Sequence, residues 1–118
     1  MNIPDSVTSI EAAVFANNNL TNVNIHDRVT SIGDDAFVQN NLTSVNIPDS
    51  VTSIGIGAFA YNSLESVVIP QNVMSIGLGA FQDNNLTTVT ILNEGTVIGA
   101  WAFINSCSLR ITLSSQKT

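Results

Sequence analysis

Apolar and polar positions along this chain recur with one fixed period. Ile stands at 3, 25, 47, 69 and 91, and again at 10, 32, 54, 76 and 98, each 22 residues from the next. All five Phe fall in a single column, 15, 37, 59, 81 and 103. Leu20, Leu42, Leu64 and Leu86 form another column, as do Val23, Val45, Val67 and Val89. The three prolines, Pro4, Pro48 and Pro70, share one more. Such self-similarity marks stacked coils, since one repeat alone cannot bury its apolar side. The boundaries fall at about 2–23, 24–45, 46–67, 68–89 and 90–113, with a polar tail at 114–118. All five repeats form one domain.

Each repeat predicts its own local structure. Leu42-Thr-Ser-Val45-Asn-Ile47 has leucine-rich-repeat spacing, and Val45 and Ile47 alternate with Asn46 as in a half-buried strand. Pro48-Asp49-Ser50 turns the chain. Val51 to Ile54 reads as a second, short extended segment, followed by Gly55. That glycine and its equivalents Gly33, Gly77 and Gly99 are expected to permit a sharp turn. A single helical or 3₁₀ turn is expected at Ala58-Phe59, with Phe pointing inward. Asn18, Asn40, Asn62 and Asn84 are expected to pass hydrogen bonds from coil to coil.

The unit L-x-x-V-x-I-P-x-x-V-x-x-I-G-x-x-A-F closely resembles the BspA-like leucine-rich repeats, over Asn2 to about Leu113. That resemblance implies a curved right-handed leucine-rich-repeat solenoid, mainly β with short helical turns, and a parallel sheet on one face. It further implies adhesion or protein interaction, at the cell surface or secreted, in a bacterial or protist protein. Cys-x-x-Leu is frequent before the strand in that family. Only Cys107-Ser-Leu109 approaches it, after one inserted residue, and the other copies carry Asn.

Composition narrows the functional classes. The net charge is −6, and the only cations are Arg28, Arg110 and Lys117. Nucleic-acid affinity needs several cations near phosphates, so neither nucleic acid nor an anionic membrane is an expected partner. The longest apolar run, Val97 to Ile104, has eight residues, against the roughly 18 that a membrane span requires, so no membrane insertion is expected. The single cysteine excludes an intrachain disulfide.

Catalytic patterns are lacking, so no enzyme and no cofactor is expected. His26, the only histidine, occupies the proline column and has no nucleophile in pattern. Cys107 reads as a small apolar residue, with Arg110 the one neighbour that could activate a thiol. The column Asp5, Asp27 and Asp49 could attract Ca²⁺, but it changes to Gln71 and Asn93, and the turn reading is preferred over a metal site. Asp34-Asp35 reads as a solvated turn. Asn19, Asn41 and Asn85 each begin a formal glycosylation sequon, which follows from the repeat consensus.

The main expectation is a protein-interaction module whose partner is a host or extracellular-matrix protein. Its binding face would be the outward side of the strands: Asn22, Asn24, Ser44, Asn46, Ser66, Val68, Thr88 and Thr90. These side chains are small and neutral, so avidity in a long array would matter. One alternative is a spacer within a larger surface protein, favoured by the near-identity of the middle copies. Rows of Thr and Ser raise a weaker alternative, ice binding, but Met74 and Val97 interrupt them. Ile3 is already a core position, so the N-terminal coil is expected to lie open and to drive end-to-end self-association. The tail after Leu113 reads as a cap.

Overall fold

The computed structural model describes residues 1–106 and 109–113. The chain winds into a parallel β-solenoid whose coils repeat every 22 residues, as the paired registers show. One sheet runs through all the coils. Its strands are β1 (Ser9–Ile10), β2 (Ser31–Ile32), β3 (Ser53–Ile54), β5 (Ser75–Ile76) and β7 (Val97–Ile98). A second, three-stranded sheet consists of β4 (Ser66–Ile69), β6 (Thr88–Ile91) and β8 (Arg110–Leu113). The insertion before Leu109 does not shift this sheet, because Ile111 pairs with Val89 and restores the period.

The second sheet is shorter than the sequence pattern predicts. Beyond β4 toward the N-terminus only an isolated bridge remains, Asn2 to Asn24. No backbone hydrogen bond among the described residues joins 44–47 to either neighbouring coil. Side-chain chemistry accounts for the boundary. The outward strand position is β-branched throughout this sheet, at Val68, Thr90 and Thr112, but is Asn at 46, where no pairing forms, and at 2 and 24, which share only the single bridge. Asn is a poor strand former, because its amide competes for backbone hydrogen bonds.

The core follows the columns. Phe37, Phe59 and Phe81 are fully buried, and the five Phe rings stack at centroid separations of 5.2–5.5 Å. The Asn ladder also forms. Asn62 Nδ2 donates to the carbonyls of Phe37 and Phe59, while its Oδ1 accepts from Leu42 N–H. Asn40 and Asn84 repeat that arrangement. Asn18, in the outermost coil, is exposed.

Two local expectations need correction. The Ala-Phe segment is not helical, and no helix occurs among the described residues. Ala36 and Val38 N–H bond back to Gly33 and Asp35, three residues earlier. The intervening N–H groups of Asp35, Phe37 and Gln39 instead reach the next coil, at Ile56, Ala58 and Ala60. A helix would need all these donors internally, so the alternation replaces it with two linked turns. The left-handed residues these turns require sit in two columns, 13/35/57/79/101 and 17/39/61/83/105, occupied mostly by non-glycine residues.

The glycines at 33, 55, 77 and 99 do not supply that left-handed conformation. They allow close approach: a Cβ on Gly77 would lie 2.5 Å from Ile56 N and 2.6 Å from Gly55 C. The equivalent residue in the first coil is Glu11.

The two ends differ in which core columns they leave open. In the N-terminal coil Val7, Phe15 and Leu20 are partly open, whereas Ile3 and Ile10 are only 5% and 2% exposed. Their counterparts at the other end are open, with Ile98 at 40% and Leu113 at 59%. The tail read as a cap, 114–118, lies outside the described residues, as does Cys107.

Candidate functional site

The predicted binding face is the outer surface of the second sheet and its broken continuation. Asn22, Asn24, Ser44, Asn46, Ser66, Val68 and Thr88 are exposed there, and Thr90 is half-buried. Their outward direction follows from strand alternation: Val67 and Ile69 point into the core, so Ser66 and Val68 point away. On the N-terminal side this face is tied down. Asn22 Oδ1 accepts from the Met1 amino group at 2.8 Å, and Asn24 Nδ2 donates to Asn2 Oδ1 at 2.6 Å.

A cavity of about 240 Å³ opens where the sheet breaks. Ser44, Asn46, Ser66 and Val68 line it, four of the eight predicted residues. Asn22, Asn24, Thr88 and Thr90 do not. Val45, Ile47 and Val67 also border it, and Asp49, Pro70 and Leu92 join the wall without having been predicted. Asp49 and Pro70 read as turn residues, and Leu92 stands in the last coil where Pro48 and Pro70 stand in theirs, so only the topology brings them to the cavity. The lining mixes hydroxyl, amide and carboxylate groups with apolar side chains. Main-chain donors and acceptors of 44–47, unpaired with the neighbouring coils, border the same opening. Such a surface can take hydrogen-bonding groups from an incoming polar chain.

The other singled-out residues have structural roles. His26 Nε2 donates to Pro4 O at 2.6 Å, and its Nδ1 accepts from Arg28 N–H at 3.1 Å, so both ring nitrogens are engaged. Asp34 Oδ1 accepts from Ile56 N–H at 2.8 Å, which makes it a coil-to-coil link. Among the described residues, no group of three or more His, Cys, Asp or Glu is placed to hold a metal ion. Asn19, Asn41 and Asn85 are exposed.

The model of the BspA type leucine rich repeat region matches residues 1–110 in six copies. The chain belongs to the BspA-type leucine-rich repeat family. This BspA-type solenoid is similar to a leucine-rich repeat protein from Bacteroides ovatus ATCC 8483, solved by crystallography. The TM-score is 0.54 at 17% identity, over 97% of this chain and 49% of that one. The likeness supports the fold, and the BspA-type chain spans about half the length of that protein. No curated protein matches the chain.

Proposed function

We propose that this chain is a non-catalytic protein-interaction module of a surface or secreted protein, holding a host or extracellular-matrix protein on its sheet face. The observation carrying this reading is the cavity at the sheet break, lined by Ser44, Asn46, Ser66 and Val68. Leucine-rich repeats present such faces for interaction, and the small polar lining suits a partner's main chain or uncharged side chains. Affinity per site would be modest, because interface anchors are usually Trp, Tyr or Arg. A longer array would add avidity.

Surface plasmon resonance against a panel of extracellular-matrix proteins tests the proposal. The wild-type chain should bind at least one saturably, and Asn46→Asp with Asn24→Asp should weaken that binding about tenfold or more, each tenfold being about 1.4 kcal/mol. Binding that survives both substitutions would place the site elsewhere. A spacer role is the second reading, favoured by the near-identity of the middle coils. No binding to any panel member would favour it.

A further inference from the structure

The only Trp and the only Tyr of the chain lie away from the sheet face, on the turn edge that carries the Ala-Phe segments. Trp101 is 64% exposed and Tyr61 is 47% exposed. Both have left-handed backbones, with φ of 58° and 59°. Trp101 fills the column occupied by Gly57 and Gly79 in the preceding coils. A bulky side chain there is doubly unfavourable: its backbone is strained, and its indole forgoes burial. The solenoid gains little packing in return, and strain held at an exposed aromatic residue points to a binding role.

The surroundings of Trp101 define what would bind. Ile56 and Leu78 occupy one column in adjacent coils, and both are about half exposed. The charged residues on the described turns of this edge are Glu11, Asp34, Asp35 and Asp83, with no Lys or Arg among them. Arg28 lies in the turn after the 22–25 segment, and Arg110 lies in β8. Asp34 adjoins the apolar column directly, through its bond to Ile56 N–H. Tyr61 is held by Gln82, whose Nε2 donates to the phenolic oxygen at 3.1 Å. Along this edge Asp34 and Asp35 precede the coils of Ile56, Leu78 and Trp101, and Asp83 lies in the coil of Leu78.

We infer that this turn edge is a second docking surface, for a basic segment of a partner protein that carries aliphatic or aromatic side chains. Apolar groups of the partner cover Ile56, Leu78 and Trp101, while its Lys or Arg side chains meet Asp34, Asp35 and Asp83. The surface is independent of the sheet face, so it stands whether or not that face binds.

Trp101 is its own reporter. A short end-blocked peptide alternating Lys and Leu is titrated into the chain, with an alternating Glu and Leu peptide as control, following Trp emission and backbone amide shifts. The Lys peptide should blue-shift the emission saturably and move the amides of 56, 78 and 101. Asp34→Asn with Asp35→Asn, and separately Ile56→Ser, should weaken binding about tenfold, while Asn46→Asp leaves it unchanged. All three positions are exposed, and circular dichroism reports whether each variant stays folded. Equal binding of the Glu peptide would overturn the proposal, as would shifts centred on the sheet face. An emission shift with phosphatidylcholine vesicles in place of the peptide would assign the edge to lipid and overturn it too.

Discussion

The side-chain amide of Asn62 lies 3.0 Å from the main-chain oxygen of Phe37, a residue 25 positions earlier in the preceding coil. The same amide donates to Phe59 O at 3.1 Å, and Asn62 Oδ1 accepts from Leu42 N–H at 3.0 Å. One buried side chain therefore satisfies main-chain groups in two coils that no strand pairing reaches. Asn62→Ala would leave Leu42 N–H unsatisfied away from water, while Phe37 O keeps its bond from Asn40 and Phe59 O its bond from Asn84. Leaving a buried group unsatisfied costs about 1–3 kcal/mol, so a loss of about 2 kcal/mol is expected in urea unfolding. Asn18→Ala, at the exposed end of the ladder, should change stability by less than about 0.5 kcal/mol. Equal losses at the two positions would contradict a ladder role.

Phe59 is fully buried and stacks at 5.3 Å on Phe37 and 5.2 Å on Phe81. Phe59→Ala removes both contacts and leaves a cavity in the column. Large-to-small changes of this kind cost about 3–5 kcal/mol. Phe15, half-buried with one stacking partner, should cost clearly less. Thermal unfolding of the two variants makes the comparison, and a cost at Phe15 matching that at Phe59 would refute it.

The coils, their length and their inward columns were legible in the sequence, because a 22-residue period leaves few ways to bury Ile, Val, Leu and Phe together. The turn conformation was not. Eight of the ten positions in the two left-handed columns carry residues other than Gly, and only Asn17, Asp35, Asp83 and Asn105 hinted at them by their tolerance of positive φ. Half of the predicted sheet face lines the cavity, but Asp49, Pro70 and Leu92 reach it from turns whose placement depends on how three coils stack. The break itself had a signal in Asn24 and Asn46, which the apolar alternation of Val45 and Ile47 concealed.

Gly77 illustrates why a column can hold glycine for reasons other than backbone freedom. Its would-be Cβ lies 2.5 Å from Ile56 N, so Gly77→Ala must push two coils apart locally. Overpacking of this kind costs about 1–3 kcal/mol. Gly95, whose would-be Cβ meets only Asn93 Oδ1 at 3.2 Å, should accept Ala at a smaller cost. Denaturant midpoints for the pair check this. A Gly77→Ala chain as stable as wild type would show that the coils can separate freely.

The same column governs what can stack on the first coil. A Cβ on Gly33 would meet Ile10 O at 2.7 Å and Ala12 N at 2.8 Å in the coil before it. Glu11 carries a Cβ at that position, so a second copy's coil arriving in the common register would meet the same clash. Burial of Ile3 and Ile10 also lessens the apolar incentive for such stacking, though Val7, Phe15 and Leu20 stay partly open. The most exposed core positions are Ile98, Ile111 and Leu113, at the opposite end. Self-association through the N-terminal coil is therefore disfavoured, and Glu11→Gly should relieve the steric barrier. Light scattering at high concentration should show more association for Glu11→Gly than for wild type. Ile98→Ser with Leu113→Ser should reduce whatever association the wild type displays. Crosslinks joining the Glu11 coil of one wild-type copy to the C-terminal coil of another would show that the glutamate does not block stacking.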